Sequence, residues 1–173
     1  MDLKKVIRNI PDFPKKGIIF RDITTLIQDS DAFSYVIDVF HERYKIKRID
    51  VVAGIEARGF IFGGALANKL GVGFVPIRKK GKLPWKTISE TYSLEYGTDT
   101  MELHEDAIKK GQKVLLLDDL IATGGSLNAA GKLIERLGGE IVEVAVVIEL
   151  VDLKGREAIL PKKLFSLVEF EGE

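Results

Sequence analysis

Apolar and polar positions along this chain follow two different rhythms, and the points where one gives way to the other outline a fold. Phe33, Val36, Ile37, Phe40 and Tyr44 recur at helical spacing, which predicts a helix over 31–44 with that stripe turned to a core. Short apolar runs then alternate with helical stretches: a strand over 49–54, a helix over 60–70 closed by Gly71, and a strand over 73–78. The rhythm resumes with a strand beginning at Val114, a helix over 126–137 closed by Gly138 and Gly139, and a strand over 141–150. A last apolar segment, 164–170, is expected to dock on the core. Strands separated by helices pair in parallel through right-handed crossovers. The predicted fold class is α/β, an open, mainly parallel, twisted sheet with helices on both faces.

Between Arg78 and Lys113 this pattern breaks. Residues 79–85, Lys-Lys-Gly-Lys-Leu-Pro-Trp, are basic and turn-rich, and residues 92–97 alternate as in an antiparallel ribbon. Open α/β sheets bind ligands beyond the carboxyl ends of their strands. A long charged insertion at that edge, residues 79–104, reads as a mobile lid.

Composition narrows the chemistry. A chain of 173 residues suits one domain with a substantial core. Lys plus Arg equals Asp plus Glu, 26 each, so no net basic field advertises a nucleic-acid or membrane partner, and anion binding must be local. The absence of cysteine excludes disulfides and thiolate metal sites. A metal would be held by oxygen or by His41 and His104, which makes a hard ion such as Mg²⁺ the natural candidate, although His41 reads first as a packing residue of the 31–44 helix. The N-terminal residues lack an apolar signal-peptide core, and no apolar stretch reaches the roughly 18 residues of a membrane span, so a cytoplasmic protein is expected.

The segment that says most about function is Val114-Leu115-Leu116-Leu117-Asp118-Asp119-Leu120-Ile121-Ala122-Thr123-Gly124-Gly125-Ser126. Its apolar run reads as a strand buried on both faces, and its glycines force a tight turn into the next helix. N–H groups at such a turn and at a helix N-terminus point the same way and lack intrahelical partners, so an anion can fill them. Thr123 and Ser126 add hydroxyl donors. Two carboxylates just before the turn would repel a phosphate at direct contact, so Asp118 and Asp119 must face a ribose diol or a metal one step away. No Lys follows the glycines as in a Walker loop, and the GxGxxG spacing is absent.

A second strand-to-helix junction, Ile55-Glu56-Ala57-Arg58-Gly59-Phe60, forms another anion site, to which Arg58 adds a fixed, charged donor. Two anion sites on one sheet edge suit a substrate with two separated phosphate groups. Arg78 and Lys82 are candidate neutralisers of the second; Lys79 and Lys80 read as a solvated charge run. In Phe13-Pro14-Lys15-Lys16-Gly17-Ile18-Ile19-Phe20-Arg21-Asp22-Ile23, an aromatic ring beside an Arg could position a flat base, and the backbone at Ile19 could read its edge. On composition alone Phe20 is a core residue.

The Val114–Ser126 segment resembles the 5-phosphoribosyl-1-pyrophosphate signature of the type I phosphoribosyltransferases. With Pro-Asp-Phe-Pro, Gly-Ile-Ile-Phe-Arg-Asp-Ile, Glu-Ala-Arg-Gly-Phe, Arg-Lys-x-Gly-Lys-Leu-Pro and Tyr-Ser-Leu-Glu-Tyr-Gly in order, nearly the whole chain is similar to the adenine branch of that family. The departures are Ser126 where Thr is usual and Trp85 as an unusual lid residue. The resemblance implies a Mg²⁺-dependent transfer from phosphoribosyl pyrophosphate to adenine, with Mg²⁺ held mainly by the substrate. Asp118 and Asp119 would grip the ribose hydroxyls, and Ala122, Thr123, Gly124, Gly125 and Ser126 the 5′-phosphate. Glu56, Ala57, Arg58, Arg78 and Lys82 would line the pyrophosphate side. A hood of residues 1–30 would enclose adenine through Ile19, Phe20 and Arg21, with Leu150 behind. Glu95, on the lid, would handle the proton of the base, and Glu95, Arg58, Asp118 and Asp119 are the candidate catalytic residues. A homodimer is carried over with the family. Two alternatives stay open: transfer to hypoxanthine or guanine, and a non-catalytic regulator that senses phosphoribosyl pyrophosphate. The regulator would need a DNA-binding domain and a basic surface, for which this chain has neither spare length nor excess charge.

Overall fold

A computed structural model describes residues 1–94 and 97–172. The N-terminal segment contains α1 (Leu3–Val6), β1 (Arg8–Pro11), β2 (Ile19–Asp22) and α2 (Thr24–Gln28). β1 and β2 pair antiparallel as a ribbon of their own, outside the main sheet. Next comes α3 (Ser30–Tyr44), whose start is fixed by Asp29: the carboxylate accepts the N–H groups of Asp31 at 3.0 Å and Ala32 at 2.9 Å, two donors a helix cannot satisfy internally. The buried stripe of α3 is Ala32, Val36, Ile37, Phe40 and Tyr44.

The central sheet then assembles from β3 (Val51–Ile55), β4 (Gly73–Lys79), β5 (Thr87–Ser93), β6 (Thr98–His104), β7 (Lys113–Ile121), β8 (Glu140–Leu150) and β9 (Leu164–Phe170). Between β3 and β4 lies α4 (Arg58–Leu70), ended by Gly71 in the left-handed region; between β7 and β8 lies α5 (Gly125–Arg136). A 3₁₀ turn, Val151–Leu153, and the short α6 (Gly155–Ala158) precede β9. Spatially the strands run β5-β6-β4-β3-β7-β8-β9, parallel from β4 to β9, with β5 and β6 antiparallel at one edge.

Side-chain alternation in β7 divides the core in two. Leu115 and Leu117 join the cluster under α3 and α4, whereas Val114 and Leu116 join the cluster under α5. Helices thus cover both faces, which is why β7 and β8 are buried along most of their length. The segment 164–170 does more than dock: it is the parallel edge strand β9, in register with β8 from Val144↔Leu164 to Leu150↔Phe170. The insertion after Arg78 is likewise built into the sheet, because β6 pairs with β4 (Arg78↔Glu102, Lys79↔Met101) and β5 packs against α5.

One buried charge ties α3 to the sheet. Glu143 of β8, 4% exposed, accepts Arg43 Nε at 2.7 Å and Nη2 at 2.9 Å, the Tyr44 hydroxyl at 2.8 Å and Lys47 Nζ at 3.1 Å. Burial pushes this carboxyl up, but the hydrogen bonds from Arg43, Tyr44 and Lys47 outweigh it and hold its pKa down to about 2. A carboxyl lowered by folding contributes stability that is complete above its unfolded value and is lost as pH falls through the folded one. Glu143→Gln is therefore expected to cost about 3 kcal/mol at pH 7, a fall in Tm of roughly 6 to 12 °C. Melting curves from pH 7 down to pH 2 should show the gap to wild type closing below about pH 5. A gap that stays constant with pH would show that the charge is not what the network uses.

Candidate active site

Parallel pairing of β3 with β7, from Val51↔Val114 to Gly54↔Leu117, sets two strand-to-helix junctions side by side. One is Glu56-Ala57 leading into α4; its peptide is cis. The other is Ala122-Thr123-Gly124 leading into α5. Neither helix carries a side-chain cap: the N-cap positions are Ala57 and Gly124, and the first N–H groups of both helices are left for another partner. Gly124 sits at φ +81°, and a Cβ there would stand 2.6 Å from the Gly155 carbonyl oxygen, so the turn is closed to any larger residue. Both junctions line one cavity of about 280 Å³, together with Asp118, Asp119 and part of the β5–β6 ribbon.

The acids are not at the strand end, as the sequence pattern predicts, but within β7, which continues to Ile121. The reason is asymmetry between its neighbours. β3 stops pairing at Leu117, whereas β8 pairs on through Leu120↔Ile148 and Ile121↔Glu149, so the acids project where one side of β7 is open. Both are buried, Asp118 at 7% and Asp119 at 6% exposure. Asp119 Oδ2 accepts Arg58 Nε at 2.5 Å, and Asp118 Oδ1 accepts the Asp119 N–H at 2.8 Å. Burial first, then the neighbouring Asp119 carboxylate, raises the Asp118 pKa well above the usual range.

On the α4 side Glu56 acts through Arg78. Its carboxylate accepts Arg78 Nε at 3.0 Å and the Lys79 N–H at 2.7 Å, while Arg78 Nη2 lies 2.9 Å from the same carboxylate. Arg78 also donates to the Lys82 carbonyl at 3.4 Å. Arg78 and the exposed Lys82 stand beside the cavity rather than in its lining. Lys79, read from sequence as part of a solvated run, does line it, because its pairing with Met101 carries β4 to the cavity edge; its Nζ lies 3.0 Å from Asp99.

Sequence reasoning also missed Tyr92, Leu94 and Met101. Tyr92 and Leu94 share one side of the alternating ribbon, a period that was visible but gave no clue to which face meets the turn. The residues expected to enclose a base lie apart from this cavity's lining. Ile19 and Phe20 are half-buried on β2, Phe20 edge-on to Phe13 at 5.3 Å. Arg21 is buried, donates to Asn9 Oδ1 at 2.8 Å and stacks 4.3 Å over the Phe170 ring, while its Nε has no hydrogen-bond partner among the described residues. Leu150 is a buried core residue at the end of β8. Glu95 lies outside the described residues.

Comparison with known proteins agrees with this geometry. The phosphoribosyl transferase domain family matches residues 30–172, beginning just after the β1–β2 ribbon and α2. Adenine phosphoribosyltransferase from Desulfosudis oleivorans is 59% identical over the full length of both chains. Two solved structures are similar over nearly the whole chain. Adenine phosphoribosyltransferase from Thermoanaerobacter pseudethanolicus has a TM-score of 0.94 at 49% identity, covering 98% of each chain. The enzyme from Saccharomyces cerevisiae, complexed with an imino-altritol bisphosphate and adenine, has a TM-score of 0.91 at 43% identity, covering 96% of this chain and 97% of that one. With two anion-ready helix starts flanking a buried acid pair, and with likeness of this extent, the chain belongs to the phosphoribosyltransferase family, in its adenine phosphoribosyltransferase branch.

Proposed function

We propose that the chain transfers the 5-phosphoribosyl group of phosphoribosyl pyrophosphate to N9 of adenine, giving AMP and pyrophosphate in purine salvage. The observation that carries this reading is the cavity in which two uncapped helix starts flank Asp118 and Asp119, in a chain similar throughout to enzymes named for that activity. In the reaction N9 bonds to C1 of the ribose as the bond from C1 to the pyrophosphate oxygen breaks. Positive charge develops on the sugar and negative charge on the leaving group. The protein's task is position and electrostatics.

In this reading the turn Ala122 to Ser126 donates N–H and hydroxyl groups to the 5′-phosphate. Asp118 and Asp119 accept the ribose hydroxyls and stabilise the cationic sugar. Arg58 and Arg78, with Lys82 nearby, neutralise the departing pyrophosphate, and Glu56 holds Arg78 in place. Arg58 and Asp119 already neutralise one another, so a substrate must offer each a better partner, and one carrying both a pyrophosphate and a diol does so. Mg²⁺ fits the donors here: of the three cavity carboxylates, Glu56 is engaged by Arg78 and Asp119 by Arg58, which suits an ion that keeps waters and substrate oxygens as most of its ligands. When bound it supplies further charge neutralisation to the pyrophosphate. Residues 1–30 serve as a hood, with Ile19, Phe20, Arg21 and Leu150 towards adenine, and residues 79–104 as a lid whose Glu95 handles the base's proton. The resemblance carries a homodimer with it.

Initial rates with adenine, hypoxanthine, guanine, xanthine and orotate, each with phosphoribosyl pyrophosphate and Mg²⁺, test the assignment. Adenine is expected to lead by at least about a hundredfold in kcat/KM, because a site built for an exocyclic amine leaves polar groups unpaired against a carbonyl. Equal use of hypoxanthine would exclude it.

Asp118 allows a sharper test. A carboxyl raised by folding binds its proton more tightly in the native state, so its charge costs stability once pH passes the unfolded value of about 3.9. Asp118→Asn removes that cost and keeps an oxygen for the Asp119 N–H. We expect a Tm above wild type at pH 7, with the difference growing as pH rises from 4, while kcat/KM falls about a hundredfold, about 3 kcal/mol. Wild-type kcat/KM in a normally melting variant would remove Asp118 from the reaction.

A further inference from the structure

Tyr92 reaches the phosphate turn from a strand remote in sequence. A Cβ on Gly125 would stand 3.1 Å from Tyr92 Cδ2 and 3.7 Å from Cε2, so the ring occupies the space a side chain at the first residue of α5 would need. Gly125 does not have a positive φ; what crowds a side chain here is the ring, with the Ser93 carbonyl oxygen next at 3.4 Å, rather than the backbone angle. Tyr92 is half-buried, packs on the core cluster beneath α5 and lines the cavity. Its hydroxyl makes a long hydrogen bond, 3.4 Å, to Asp99 Oδ2, its cross-strand partner on β6. Burial, followed by the Asp99 carboxylate, pushes the phenol up to about 12, so it stays a neutral donor. The rest of β5 is pinned to the same helix: Glu90 pairs with Lys132 at 3.1 Å and Arg136 at 3.5 Å, and the Ser89 carbonyl accepts Arg136 Nη1 at 2.7 Å.

We propose that Tyr92 is a positioning residue for the 5′-phosphate: its ring buttresses the first turn of α5 and so aims the N–H groups of Gly125 and Ser126. This rests on reading Ala122 to Ser126 as the phosphate cradle. The hydroxyl, at 3.4 Å from Asp99, is secondary to the ring.

The test compares Y92A, Y92F, G125A, the double variant Y92A/G125A and the cradle variant S126A by steady-state kinetics, by calorimetric binding of ribose 5-phosphate, and by melting. Y92A is expected to raise KM for phosphoribosyl pyrophosphate and to weaken ribose 5-phosphate about tenfold or more, with kcat and the adenine KM changed far less and Y92F close to wild type. G125A should cost less in the Y92A background than alone, because the clash is gone. Y92L serves in the same cycle if Y92A melts early. Unchanged ribose 5-phosphate affinity in Y92A, or in Y92L, beside a loss in S126A overturns the role of Tyr92 and leaves the cradle standing. No loss in S126A either removes the cradle, and this proposal with it. Strict additivity of Y92A and G125A also overturns it.

Discussion

The register between β3 and β7 is the constraint on which the site depends. Gly54↔Leu117 is the last pair of that ladder; β3 then passes through Glu56 and Ala57 into α4, while β7 runs on to Ile121 before the turn into α5, and neither helix start has a side-chain cap. A slip of one residue would exchange the faces to which Asp118 and Asp119 point and move one helix start away from the other. The burial pattern resists that slip. β3 is buried at every position and β7 nearly so, with neighbouring residues assigned to different cores, so a shift would exchange two packed faces at once. Packing far from the chemistry thereby fixes the distance between two anion sites.

Charge in the site is balanced locally. Two carboxylates on adjacent buried residues oppose each other, and among the described residues only one of them has a cation, Arg58 on Asp119. The unpaired member, Asp118, bears the desolvation, as its raised pKa records. Glu143 shows what the same fold does with an acid it uses for structure: four donors converge on it and its pKa falls instead. The contrast separates a group held for stability from one left under-satisfied at a cavity, which is where functional groups concentrate.

The helical and apolar periods made the parallel sheet legible, since α3, α4, α5, β3, β4, β7 and β8 all announce themselves by local pattern. The glycine turn between β7 and α5 was legible for the same reason, as its residues are contiguous in sequence. Less visible were features made by register. Lys79 and Tyr92 reach the cavity through β4–β6 and β5–β6 pairing, and Glu56 finds Arg78 across the β3–β4 ladder. The ribbon strands β1 and β2 are too short to carry a period, and Arg21 meets Phe170 from the far end of the chain. The resemblance named Arg21; nothing in its neighbourhood of sequence pointed to Phe170.

The glycines of the turn show how such non-local information is nevertheless written into a motif. Gly124 is required both by its backbone angle and by the Gly155 carbonyl pressing on it from the segment after β8. Gly125 is crowded by the Tyr92 ring arriving from β5. A loop with two exposed glycines would be mobile; one clamped from two sides is held in a single shape. The conformational entropy that glycine would release in an open turn is removed by packing before any anion arrives. Donors aimed in advance need not be ordered by a ligand, and it is this preorganisation, more than the number of N–H groups, that an uncharged backbone beside two acids has to offer an anion.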